Sequence, residues 1–156
     1  MKKTLVPIAL AFALIAVAPA AFAGSQNGTL TVTASVAANC TISSATLGFG
    51  AYDPVVTNDV ANLDASTTMS VACTKGVAPK ITTATAGGTI TGPGGTLNYL
   101  LFSDAGRTTS FVTPGLTMPA APGKAPQTLT IYGRIAGNQD VGVGAYTGTT
   151  LVTVNF

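Results

Sequence analysis

The chain has 156 residues, only 8% of them charged, with two cysteines and neither histidine nor tryptophan. The lack of histidine excludes a Ser-His-Asp or Cys-His engine, a histidine general base and a His-containing zinc site, and with five Asp and no Glu an enzyme would have few acids to work with. The formal charge is +2, but without Lys2 and Lys3 at the extreme N-terminus five cations face five anions, which leaves no electrostatic footprint for DNA, RNA or anionic lipid and suits a molecule that ends up assembled.

The opening residues read as an address. A basic start at Lys2 and Lys3, an apolar run from Leu5 to about Val17, and Ala21 and Ala23 in an A-x-A arrangement predict a secretory signal peptide over residues 1–23, cut after Ala23. Pro7 and Pro19 interrupt the run and it is short for a spanning helix, so no stable membrane insertion is expected after cleavage. Export gives the cysteines a compartment in which Cys40 and Cys73, the only pair, would be joined. The alternatives are two free thiols or a metal pair, and two Cys without His are too few ligands for zinc.

The rest reads as one all-β domain. Residues 29–38 alternate Leu30, Val32, Ala34 and Val36 with Thr31, Thr33, Ser35 and Ala37, a strand with one apolar face behind a flexible leader at 24–28. Further strands are predicted at 40–42, 46–49, 67–73, 79–85, 96–102, 127–135 and 149–156. The Gly/Pro-rich stretches 86–95 and 113–126 read as loops. Helical periodicity is almost absent, and short strands with turn signals at regular spacing predict an immunoglobulin-type β-sandwich. The last strand signal, Leu151-Val152-Thr153-Val154-Asn155-Phe156, stops on an aromatic residue. Such a strand leaves its outer edge and its terminal carboxylate without covalent cover.

Five successive stretches carry a resemblance. They are Leu47-Gly48-Phe49-Gly50-Ala51-Tyr52-Asp53-Pro54, Met69-Ser70-Val71-Ala72-Cys73-Thr74-Lys75-Gly76, Leu97-Asn98-Tyr99-Leu100-Leu101-Phe102-Ser103-Asp104-Ala105-Gly106-Arg107-Thr108, Ile131-Tyr132-Gly133-Arg134-Ile135 and the closing Leu151 to Phe156. In this order they resemble the spore coat protein U domain family, which includes the major pilins of archaic chaperone–usher pili such as the Csu pilus subunit. The resemblance implies an incomplete immunoglobulin-like β-sandwich lacking its last strand and completed by a donor strand. It divides the chain into a donor segment at 24–38 and a pilin domain at 39–156. It also implies three partners: a periplasmic pilus chaperone, an outer-membrane usher and neighbouring pilin subunits in a homopolymer. Carried over by position, Leu30, Val32, Ala34 and Val36 would fill a neighbour's groove. Leu151, Val152, Val154 and Phe156 would form the acceptor edge and chaperone-binding C-terminus, and Cys40 and Cys73 match the family's disulfide positions. The sequence departs from the family pattern after Tyr146, where Thr147 and Gly148 stand instead of an acidic residue, and in its Gly-rich 86–95.

Catalytic and metal readings are poor residue by residue. Asp53, Asp59, Asp64, Asp104 and Asp140 are scattered in loop-like sequence, where Asp serves turns and solvation. The Gly-Gly pairs at 87–88 and 94–95 precede no Lys-Ser/Thr, so they are not a phosphate cradle. Asn58, Asp59, Asn62 and Asp64 offer calcium oxygens at a spacing that matches no EF-hand. Asp104 and Arg107 suggest a local ion pair or a held turn, and Arg134 reads as an outward strand residue. The expectation is a pilin without catalytic residues, metal or cofactor, exported through the periplasm to the cell surface as a fimbria that supports attachment and biofilm. The alternative is a secreted, non-polymerising coat or binding protein of the same fold.

Overall fold

The longest strands form because alternate residues have somewhere to hide. In a computed structural model describing residues 23–112 and 114–156, β2 (Leu63–Cys73) and β7 (Gln127–Ile135) pair antiparallel over nine positions, from Leu63 opposite Ile135 to Val71 opposite Gln127. Leu129, Ile131, Gly133 and Ile135 of β7 turn inward while Thr128, Thr130, Tyr132 and Arg134 turn outward, the period of two that a half-buried sheet requires. β1 (Cys40–Ile42) extends this sheet on one side. On the other side lie β5 (Gly95–Phe102) and β4 (Gly87–Gly92), giving the order β1-β2-β7-β5-β4. A second, shorter sheet has the order β6-β3-β8, built from β6 (Leu116–Thr117), β3 (Lys80–Thr83) and β8 (Val152–Asn155). All six ladders are antiparallel. The architecture is an all-β sandwich of immunoglobulin type, and no helix among the described residues is long and apolar enough to cross a membrane.

Phe111, Ile81, Leu129 and Val71 are fully buried between the two sheets, with Met118, Ala121 and Pro79 around them. Cys40 and Cys73 are directly opposite in the β1–β2 register and form a disulfide, with Cα atoms 4.1 Å apart.

The chain divides into two units, Met1–Ala34 and Ser35–Phe156. The predicted signal peptide falls on residues 1–22, outside the described residues, except for Ala23. The described part of the first unit forms no strand, and Leu30 and Val32 are 85% and 82% exposed.

Four readings need correction, the simplest being that 113–126, read as a loop, contains the two-residue β6 paired with β3. Residues 46–49 join no ladder, because Leu47 and Phe49 reach inward from an extended segment whose backbone has no neighbouring strand. The stretch 86–95, read as a loop, contains β4. Its glycines permit close approach rather than turning, since a Cβ at Gly87 would collide with the Tyr99 carbonyl and one at Gly88 would meet the Tyr99 hydroxyl at 2.9 Å. β2 begins at Leu63, four residues before the predicted strand, because Asp64 reads as a loop residue until Arg134 stands opposite it.

Candidate functional site

The long sheet outruns the short one. Where the second sheet gives no cover, Leu97, Tyr99, Leu101, Ile131 and Ile135 form the floor of an open cleft of about 1400 Å³. Residues 42–55 make one wall and residues 141–152 the other. Small-molecule pockets run to roughly 300–1,000 Å³, so this cleft is larger than a compact ligand needs. The sole charged residue along it is Asp53, and that carboxylate is committed to the Val55 and Val56 amides at 3.0 and 3.1 Å, which hold it below the usual carboxylate range. The cleft therefore offers mainly apolar surface, with backbone and Ser and Thr hydroxyls among it.

Gly133 shapes one wall. It faces inward on β7, and a Cβ there would lie 2.6 Å from Leu47 Cδ2 and 2.8 Å from Phe49 Cζ, so the missing side chain makes the hollow that seats both. Phe49 in turn packs tilted against Tyr99, with ring centroids 6.3 Å apart. The end of this wall is fixed by a polar knot. Tyr52 donates its hydroxyl to the Asn58 and Ala136 carbonyls and accepts from the Gln139 amide at 2.9 Å. Buried Asn58 accepts from the Asp53 amide and donates to the Ala61 carbonyl. On the opposite wall Tyr146 donates to the Gly142 carbonyl at 2.6 Å, and the Tyr99 and Thr150 hydroxyls meet across the floor at 2.6 Å. The wall side chains Ile42, Leu47, Phe49, Tyr146 and Val152 are only half-buried, which leaves apolar area that a further element could cover.

β8 is the last strand of its sheet, so one edge of Val152–Asn155 has no ladder partner among the described residues. Leu151 and Val152 line the cleft. Val152 and Val154 point inward against the core, whereas Leu151 and Phe156 are exposed. The expected face of Val152, Val154 and Phe156 is thus shared by the two valines, with Phe156 beyond the end of the strand.

The charged residues assemble elsewhere, on the outer face of the long sheet. Arg134 Nε and Nη2 donate to both oxygens of Asp64 at 2.7 and 2.8 Å, and Arg107 Nη1 lies 3.3 Å from the same carboxylate. The Arg134 hydrogen bond, with the charge of both guanidinium groups, holds the Asp64 pKa below its ordinary value. Arg107 also donates to the Gly133 and Ala65 carbonyls and lies over the Tyr132 ring, stapling a loop across β2 and β7. The suggested Asp104–Arg107 ion pair is therefore replaced by Arg107–Asp64. Asp104 holds the turn instead, accepting from the Thr109 amide at 2.6 Å and the Thr108 amide at 3.1 Å, which lowers its pKa. Three of the four calcium candidates, all but Asp59, are similarly engaged: Asn58 in the knot, Asn62 with the Gly137 amide, Asp64 with two arginines.

Sequence reasoning missed both cleft walls, because residues 43–52 and 141–151 belong to no strand, apart from the Thr91–Thr147 bridge, and are defined by what they face. The one available signal was Leu47 and Phe49 alternating with glycines.

The arrangement is an antiparallel sandwich with one closed half and an open, largely apolar cleft beside a strand edge that has no ladder partner among the described residues. In agreement, the chain matches the Spore Coat Protein U domain over residues 26–153 and belongs to that family. It is 31% identical to "Protein U" of Myxococcus xanthus over 177 aligned residues, covering 100% of this chain and 98% of the relative. The family is a structural pilin and coat domain associated with pilus and coat assembly, not an enzyme family, and its proteins are extracellular or surface-associated. The Cys40–Cys73 disulfide is compatible with export.

Proposed function

We propose that this chain is a structural pilin of an archaic chaperone–usher fimbria, polymerised by donor-strand exchange at an outer-membrane usher and supporting surface attachment and biofilm formation. The observation that carries the reading is the open apolar cleft beside the unpaired edge of β8, in a chain that also contains an alternating apolar segment with no strand partner of its own. In the fibre, Leu30, Val32, Ala34 and Val36 of one subunit enter the cleft of the next, and the backbone between them pairs with β8. Before assembly a periplasmic chaperone lends a strand to the same edge, with Leu151, Val152, Val154 and Phe156 as its contact. Burial of Leu30, Val32 and Val36 contributes about 1.5–3 kcal/mol each as an upper estimate, against roughly 4–15 kcal/mol for association, so backbone pairing is needed as well.

Surface-sheared material run unheated on a denaturing gel should give a ladder that boiling collapses. Val32→Asp should abolish the ladder and leave a chaperone complex intact, because it puts an unpaired charge in a neighbour's cleft without touching the subunit's own acceptor face. Abundant fibres from that variant would sink the donor assignment. Monomers alone from the unmodified protein would favour the secreted, non-polymerising coat or binding protein, and a coat role is the one the family's description carries.

A further inference from the structure

One end of the sandwich displays an apolar turn at the rim of the cleft, where Val55 and Val143 close its walls and Val56 and Val60 lie beyond them. Val55, Val56 and Val60 are 80%, 74% and 86% exposed within six residues, and Val143 on the adjoining loop is fully exposed. This turn is built, not slack. Asp53 caps the Val55 and Val56 amides, Asn58 ties the Asp53 amide to the Ala61 carbonyl, and the Asn138 amide donates to the Asn58 carbonyl at 2.8 Å. Several exposed valines held together on one hydrogen-bonded turn make an apolar patch of the kind that interaction surfaces carry.

The backbone says which partner meets it. Residues 37–39 are already bound to their own domain: the Thr74 amide donates to the Asn39 carbonyl at 2.8 Å, the Asn39 amide donates to Thr74 Oγ1 at 3.1 Å, and Thr74 Oγ1 donates to the Ala37 carbonyl at 3.3 Å. Val36, the last apolar side chain of the alternating segment, therefore adjoins the anchored part of the chain with no spacer, and each extended residue reaches at most about 3.6 Å. Every ladder among the described residues is antiparallel, the stronger pairing per residue. A donor laid antiparallel to β8 enters beside Asn155 and leaves past Val152, toward the end where residues 53–62 and 141–144 stand.

We infer that Val55, Val56, Val60 and Val143 form a second interface between successive copies of this chain, packed on the next copy's hinge corner of Ala37, Ala38, Thr74 and Lys75. This rests on the donor-strand reading and adds to it a body-to-body contact that sets how freely one subunit swings on its neighbour.

Cysteines at Val56 and Lys75 test it in fibres on cells. Within one chain these positions flank the eleven-residue β2, about 35 Å long, far beyond the roughly 7 Å Cα separation a disulfide spans, so a cross-link can only join neighbours. Oxidised V56C/K75C fibres should keep a ladder after boiling without reductant and lose it with reductant. Ladders intact unheated but reduced to monomers by boiling without reductant, in both V56C/K75C and V60C/K75C, would overturn the contact. The near-isosteric V55T/V56T/V60T chain should form fibres with a persistence length at least twofold shorter, and unchanged stiffness would equally overturn it. Absence of any heat-sensitive ladder from the unmodified chain would refute the donor-strand reading, and this contact with it.

Discussion

The two halves of the sandwich are made from similar residues and differ in what covers them. In one half, Phe111, Ile81, Leu129 and Val71 meet between two sheets and lose all contact with water. In the other, Leu97, Tyr99, Ile131 and Ile135 form an equally apolar floor, but above them stand two extended walls, half-buried and tied to the sheets at few points, among them Ile42, Thr147 and Val152. The difference lies in strand supply rather than composition. The long sheet has a nine-pair ladder at its centre, while the covering sheet pairs β3 with β8 over four positions. A closed core can stabilise the domain by itself, whereas an open one keeps apolar surface and a backbone edge available for another chain.

The sharpest way to separate the halves is to remove one aromatic ring from each. Phe111→Ala should cost about 3–5 kcal/mol in urea unfolding, because its site is sealed on all sides. Phe49→Ala, in the half-buried wall, should cost less than half as much. Equal losses would mean the cleft is as fully packed as the core.

Replacing Cys40 and Cys73 with Ser should lower stability by about 3–4 kcal/mol, from the chain entropy of a closed loop with sequence separation 33. Mass spectrometry of the unreduced protein should show the loss of two hydrogens, and two alkylatable thiols would contradict the bond.

Gly133→Ala should cost about 1–3 kcal/mol, since the new methyl displaces Leu47 and Phe49 from their hollow. Its distinctive consequence is in the open half: fibre yield should fall more than for Phe111→Ala variants compared at equal folded fraction.

The smallest effect belongs to the outer-face charges. Asp64 has a folded pKa below its unfolded value near ~3.9, so its contribution is complete above that pH and is lost as pH falls through the lowered folded value. The carboxylate is partly exposed, which limits the contribution to about 0–1 kcal/mol. Asp64→Asn should flatten the acid limb of a stability–pH curve below about pH 4. An unchanged limb would show that the two arginines contribute nothing through it.

Much of the fold was legible because alternation reports burial. Residues 96–102 and 127–135 read as strands and are strands to within a residue, since one face of each packs on a core. The glycines of 86–95 misled, because a glycine that turns the chain and one that lets another strand's backbone approach are the same letter. Only the neighbour, Tyr99, tells them apart. Arg107 likewise has an acid three residues away in sequence, yet it pairs with Asp64, which the β2–β7 register brings to it.

By itself the sequence determined the all-β class, the family, the cysteine pair and the apolar alternation of 29–38, all of which depend on local pattern or residue identity. The tertiary structure alone decided that the sandwich is open at one end, that residues 42–55 and 141–152 wall a cleft, and that a hydrogen-bonded valine turn stands at its rim. Those features depend on how far one sheet overhangs another, and the overhang follows from pairings between residues up to 75 positions apart, such as Lys80 with Asn155. No window along the chain contains both partners.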